Sequence, residues 1–241
     1  MDTVTIAQRF NGPPNSGNGG YTCGLLARFI DGPAKVRLKS PPPLETPLTV
    51  VRDDPSVSLF AADAEIARAE PATLELDVPA LPPPEEILRC EQRYRGHTQH
   101  GFPSCFVCGP ARDAGDGLRL FAGPLDERSD QVAAPWLPDE SLADADGFID
   151  PVFVWSALDC PGAFSFEPDD GLAVVLGEMT ARIDDRVRPG EPLTVLGWHL
   201  AADGRRHDTG TAVVRADGDI VAIAKARWFE VDPSAFNLTA A

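Results

Sequence analysis

The chain has 241 residues, 43% hydrophobic and 24% charged, enough for one large domain or two small ones, with no run near the ~20 apolar residues of a membrane helix. A net charge of −16 repels nucleic acid and sets aside a general DNA- or RNA-binding role. Five cysteines spread along a chain this long are not a small secreted disulfide framework, so reduced thiols are expected.

The opening MDTVTIAQRF has neither the basic region nor the apolar stretch of a signal peptide, and the cytoplasm is the expected compartment. NSGNGGYTCGLLARFIDG, residues 15–32, begins as loop and continues as helix, with Tyr21, Leu25, Leu26 and Phe29 at helical spacing. Asn18-Gly19-Gly20 stands at the mouth of that helix. Glycines weaken a helix start, so two of them predict a close approach to the backbone there. The runs AKVRL, PLTVV, SVSLFA and AEIARAE then read as short strands.

VPALPPPEE, residues 78–86, reads as a stiff extended connector, and the stretch after it as irregular. Residues 81–118 are therefore set apart as a Pro-rich linker and a Cys/His-containing insert between units 1–80 and 119–241. Within the insert, Cys105 and Cys108, followed by Gly109, have the spacing of a zinc knuckle, with His97, His100 and Cys90 in the same stretch. The second cysteine pair of a usual zinc site is missing, and a packed loop with free thiols fits the same residues. No metal ligand is assigned, no cofactor is expected, and any zinc bound here is expected to be structural.

The second unit offers the helix PVFVWSALDC, with Pro151 suited to a first turn, and the strands LAVVLGEMTARI, EPLTVLGWHL, TGTAVVRA and IVAIAKARWFEV. Arg182, Arg186, Arg188, Arg205 and Arg206 form a local patch for a phosphorylated ligand or are scattered surface charge. The order of the first unit repeats, helix then meander. PLTVV at Pro47 matches PLTVL at Pro192, and ADAEIARA at Ala62 resembles DGDIVAIA at Asp217. Ile220, Ala222, Ala224, Ala226 and Trp228 alternate along the last strand, a face small enough for a helix to lie close. The fold class expected is α+β.

A buried helix wrapped by antiparallel strands, present twice, resembles a double hotdog: two antiparallel sheets, each around a central helix, fused in one chain. The chain resembles the hotdog thioesterase superfamily, particularly the phenylacetyl-CoA thioesterase type and double-hotdog acyl-CoA thioesterases, over both flanks but not the insert. Single-hotdog members carry His-Gly-Gly at the helix start and an Asp nine residues after the His. Their glycine N–H groups face the thioester carbonyl, and the Asp of the partner helix activates water or attacks. Here Asn18-Gly19-Gly20 fills the first pattern, but nine residues after Asn18 stands Ala27. Asp150-Pro151-Val152 lacks the glycines, but nine residues after Asp150 stands Asp159. The resemblance implies one composite site, with Gly19 and Gly20 as donors and Asp159 as base or nucleophile. Asn18 caps the helix, orients water or bonds the substrate amide. Pro151 and Val152 paired with Ala27 offer neither the proline N–H nor a carboxylate, and that second site is expected to be dead.

Relatives of the double-hotdog type also imply a Thr or Ser and a Gln beside the Asp. Glu178 and Thr180 in GEMTARI are the substrate-binding candidates on that basis, while the last strand has no Gln, which favours Asp plus backbone alone. Tyr21 and Trp155, with Leu25 and Phe153, line the acyl pocket or belong to the ordinary core. Cys160 is expected to pack in the core. None of His97, His100, His199 and His207 falls near either helix in sequence, which ranks a hotdog enoyl-CoA hydratase below a thioesterase. The expectation is an acyl-CoA thioester hydrolase with no nucleic-acid or membrane partner, free to form homo-oligomers. The alternative is a non-catalytic hotdog that holds acyl-CoA or a similar ligand.

Overall fold

The computed structural model describes residues 2–125 and 128–236. In the first unit, β1 (Asp2–Val4) precedes α1 (Gly19–Ala27), and β2 (Ala34–Leu38), β3 (Leu48–Asp53), β4 (Ser56–Ala61) and β5 (Ala64–Pro71) follow. After α2 (Pro84–Gln92) and β6 (Gly123–Leu125), β7 (Arg128–Trp136) precedes α3 (Pro151–Ala157) and α4 (Cys160–Ala163). The chain then runs through β8 (Ala173–Ile183), β9 (Leu193–Asp203), β10 (Arg206–Arg215) and β11 (Ile220–Val231).

The described strands form one antiparallel sheet in the order β1-β3-β4-β5-β2-β8-β11-β10-β9-β7-β6. The spatial order β1-β3-β4-β5-β2, with α1 between its first two strands in sequence, recurs as β7-β9-β10-β11-β8, with α3 in the same place. The two units meet where β2 runs antiparallel to β8, Val36 opposite Met179. The matched sequence pieces fall on equivalent strands: PLTVV and PLTVL on β3 and β9, ADAEIARA and DGDIVAIA on β5 and β11.

Every residue of α1 from Gly20 to Ala27 is buried, as suits a helix apolar on all sides. It packs directly on α3 through two glycines one turn apart. A Cβ on Gly20 would lie 2.5 Å from Asp159 Cβ and 2.7 Å from the Trp155 carbonyl oxygen. A Cβ on Gly24 would lie 2.9 Å from Val152 Cα and from Trp155 Cβ. The close approach that the glycines predict is therefore first an approach of the second helix.

Three elements differ from the sequence-based expectation. The stretch after the prolines is helical: Pro84 at the first turn, Glu85 and Glu86 near its positive end, and buried Ile87 and Cys90 one turn apart make α2. It covers the outer face of the second unit's sheet, where Ile87 and Cys90 join Leu196, Trp198, Ala212 and Ile223. Asp159 does not lie within a continuous helix but in the break between α3 and α4. Pro161 lacks the N–H that would bond the Ala157 carbonyl, so α3 cannot continue through it. Ile220 is 40% exposed rather than on the helix-facing side. A bulge pairs Val213 with Ala222 and Val214 with Ile220, which flips Ile220 to the other face. Ala222, Ala224, Ala226 and Trp228 are buried as expected.

Candidate active site

The Asn18 side chain works at both ends. Its oxygen accepts from Tyr21 N at 2.9 Å and caps α1. Its Nδ2 donates to Asp159 Oδ2 at 2.8 Å. Gly20 N donates to the same oxygen at 3.0 Å. The start of the first unit's helix thus grips the acid of the second unit, in the pairing that the divided motif implies. Asp159 is 2% exposed, and its Oδ1 is buried with no hydrogen-bond partner among the described residues. Burial pushes this carboxyl up to about 7, against the opposing bond from Gly20 and with Cys105 adding to the rise.

Asp159 opens onto a cleft of about 1700 Å³, whose lining includes Asn18, Gly19, His100, Cys105 and Cys160. Gly20 is absent from the lining, and its N–H is spent on Asp159. Gly19 N–H, at the first turn of α1, has no hydrogen-bond partner among the described residues. Of the two amide donors implied by resemblance, one positions the acid and the other faces the cleft.

The remaining predicted residues are placed elsewhere. Tyr21 is buried in an aromatic cluster, stacked on Phe10 at 4.2 Å with Phe106 and Phe153 around it, and burial pushes its phenol up to about 12. Trp155 lies against α1 at Gly20 and Gly24. Tyr21, Trp155, Leu25 and Phe153 are all outside the cleft lining. Glu178 borders the cleft, but its Oε2 accepts from Arg37 Nη2 at 2.7 Å and Nε at 3.0 Å. Thr180, farther along β8, is not in the lining. At the pseudo-equivalent position, Asp150 caps α3 by accepting from Val152 N at 2.9 Å and pairs with Arg28 at 3.4 Å, beside a buried Ala27.

The insert supplies what sequence order concealed. It forms one wall of the cleft and brings His100 there, although no histidine is near α1 or α3 in sequence. Cys105 and Cys108 meet Cys160, with Cys105 Sγ 3.7 Å from Cys160 Sγ. Hydrogen bonds from the neighbouring thiols hold Cys105 well below the ordinary thiol range. Burial pushes Cys108 up, and donation to Cys105 pushes Cys160 up. The Cys-x-x-Cys spacing signalled the first two residues; nothing in the sequence tied Cys160 to them. Cys90 belongs to the separate cluster under α2.

No protein-family model matches the chain, and no curated protein matches it. Solved structures do. The tesB protein of Mycobacterium avium subsp. paratuberculosis is 13% identical, with 95% of this chain and 92% of that one covered at a TM-score of 0.60. Acyl-CoA thioesterase II TesB2 of Mycobacterium marinum is 17% identical, with 97% and 93% covered at 0.58. A conserved protein of unknown function with a hot dog fold from Alicyclobacillus acidocaldarius is 11% identical, with 95% and 92% covered at 0.55. No helix among the described residues is long and apolar enough to cross a membrane. Over nearly its whole length, the chain has the hotdog fold seen in these structures.

Proposed function

We propose that the chain is a double hotdog, built from units 1–80 and 119–241, that hydrolyses an acyl-CoA thioester at a single composite site. The observation that carries this is the Asp159 carboxylate, fixed through Oδ2 by Gly20 N and Asn18 Nδ2, while Oδ1, beside the cleft, has no hydrogen-bond partner among the described residues. A water bound to Oδ1 loses its proton to Asp159 as it attacks the thioester carbonyl carbon. The oxyanion forms at Gly19 N–H, where the helix dipole favours negative charge. The C–S bond then breaks, and the leaving thiolate takes the proton back from Asp159. The cleft volume, about 1700 Å³, exceeds the ~300–1,000 Å³ usual for small-ligand sites and suits a long thioester. The relative named acyl-CoA thioesterase II has the same fold, which favours this substrate class.

The engagement of Gly20 N–H by Asp159 favours a second reading, a binder whose oxyanion donor is already occupied. A panel of acyl-CoAs with a thiol reagent that reports released CoA separates the two. Turnover that Asp159→Asn abolishes is expected. Saturable binding without turnover across the panel would establish the binder.

A further inference from the structure

Cys105, Cys108 and Cys160 place their Sγ atoms within 4.8 Å of one another, all three buried and all three lining the cleft. Zinc held by thiolates at about 2.3 Å in a tetrahedron separates its sulfurs by about 3.8 Å. The 3.7 Å between Cys105 and Cys160 Sγ already meets that spacing and is far from the about 2.05 Å of a disulfide. We propose that Cys105, Cys108 and Cys160 bind one zinc ion as thiolates, with the fourth position filled from the cleft.

Two further observations favour a cation here. Asp159, next in sequence to Cys160, is 2% exposed, has an unpartnered Oδ1 and makes no ion pair among the described residues. A buried carboxylate without a counter-charge is costly, and a divalent ion in the neighbouring thiol cluster supplies positive charge. The sulfurs also have polar company. Asn18 Nδ2 is 3.8 Å from Cys105 Sγ and 4.0 Å from Cys160 Sγ. His100 Nε2 is 3.3 Å from Cys108 Sγ. Because Phe102 N donates to His100 Nδ1 at 2.9 Å, the neutral ring carries its proton on Nε2 and donates it to the sulfur. His100 thereby supports a ligand instead of being one, the outer-shell arrangement that orients metal thiolates. On binding, each thiol gives its proton to solvent, and no redox partner is needed. Such an ion would tie the insert to the start of α4.

The test uses untagged full-length protein, purified with a reductant and supplied with zinc or cobalt. One zinc per chain is expected, with about three sulfurs at about 2.3 Å by X-ray absorption and thiolate-to-cobalt charge-transfer bands after substitution. Cys105→Ser, Cys108→Ser and Cys160→Ser should lose the tightly held ion, while Cys23→Ser and Cys90→Ser keep it. If a ligand variant fails to fold, the absorption spectrum of the wild type still decides. Failure of the reduced wild type to retain either metal, a first shell without sulfur, or a Cys105–Cys108 disulfide would overturn the proposal. These measurements do not depend on turnover, so they stand or fall separately from hydrolysis.

Discussion

The backbone N–H of Gly20 donates to Asp159 Oδ2 at 3.0 Å, across 139 positions of sequence. That bond joins the two repeated halves of the sheet at the point where α1 and α3 touch. The contact that holds the helices together also sets the orientation of the carboxylate proposed to act. Stability and chemistry therefore depend on the same few atoms, and substitutions there should affect both in separable ways.

Gly20→Ala should be severely destabilising. Its Cβ would meet Asp159 Cβ at 2.5 Å and the Trp155 carbonyl oxygen at 2.7 Å. Neither is the mobile end of a side chain, so α1 and α3 must part. Overpacking of this kind costs about 1–3 kcal/mol. Denaturant unfolding should show a lower midpoint with an unchanged slope, and hydrolysis should fall with it as Asp159 loses its N–H partner. A midpoint equal to the wild type would mean that the helices are not in contact at Gly20.

Asp159→Asn should abolish hydrolysis and make the metal-free protein more stable, increasingly so at higher pH. The folded carboxyl is pushed from its ordinary 3.8 up to about 7, chiefly by burial. Between those values the folded state holds a proton that the unfolded state has lost, so stability falls as pH rises from about 4 to about 7 and then levels off. At about 1.4 kcal/mol per unit, the cost above pH 7 is of the order of a few kcal/mol. Asparagine keeps an oxygen for Gly20 N and Asn18 Nδ2 without carrying charge. Parallel thermal melts of chelated protein at pH 5 and pH 8 measure the difference. Equal gains at both values would place the carboxyl in its ordinary range.

Much of this was legible in the residues, for identifiable reasons. The two helices and their meanders announced themselves through apolar spacing and β-branched runs, and PLTVV against PLTVL marked equivalent strands. The division of the motif between Asn18-Gly19-Gly20 and Asp159 could be read because each half keeps the spacing of the same pattern. The roles of the glycines could not, since sequence gives no sign that Gly20 and Gly24 face Val152 and Trp155. Nor could the break at Asp159 be placed from periodicity alone, although Pro161 carried the signal. The bulge that turns Ile220 outward, and the meeting of Cys160 with Cys105 and Cys108, arise from long-range packing that no local spacing encodes.

Asn18 allows capping to be separated from positioning. Asn18→Ala removes both the bond from Tyr21 N and the donor to Asp159, and should cost about 1 kcal/mol of stability for the cap. Asn18→Asp keeps an acceptor for Tyr21 N but sets a second carboxylate against Asp159. Two acids that close cannot both ionise readily, so one is held protonated to higher pH. Both variants should reduce hydrolysis and move the rising limb of the pH–rate profile upward, Asn18→Ala by removing a donor that lowers the Asp159 carboxyl and Asn18→Asp further, by setting a like charge beside it. Full activity in Asn18→Ala would reduce this residue to a helix cap.

Arg95, in the insert, braces the segment that follows Asp159. Its Nη2 donates to the carbonyls of Ala163 at 3.1 Å and Phe166 at 2.7 Å, and its Nη1 to that of Phe164 at 3.3 Å. These carbonyls lie at the last residue of α4, the short helix that begins at Cys160, at its C-cap Phe164 and just beyond. Arg95→Met keeps an apolar stem but leaves the three carbonyls without their charged donor. Hydrogen bonds to charged groups contribute about 1.5–3 kcal/mol each, partly recovered where water can enter. Arg95→Lys retains the charge, but a single ammonium cannot span the three acceptors as a guanidinium fork does, so it should rescue only in part. Urea midpoints in the order wild type, lysine, methionine are expected, with faster amide exchange over residues 160–166 in the methionine variant. Identical exchange in all three proteins would show that α4 holds its place without the insert.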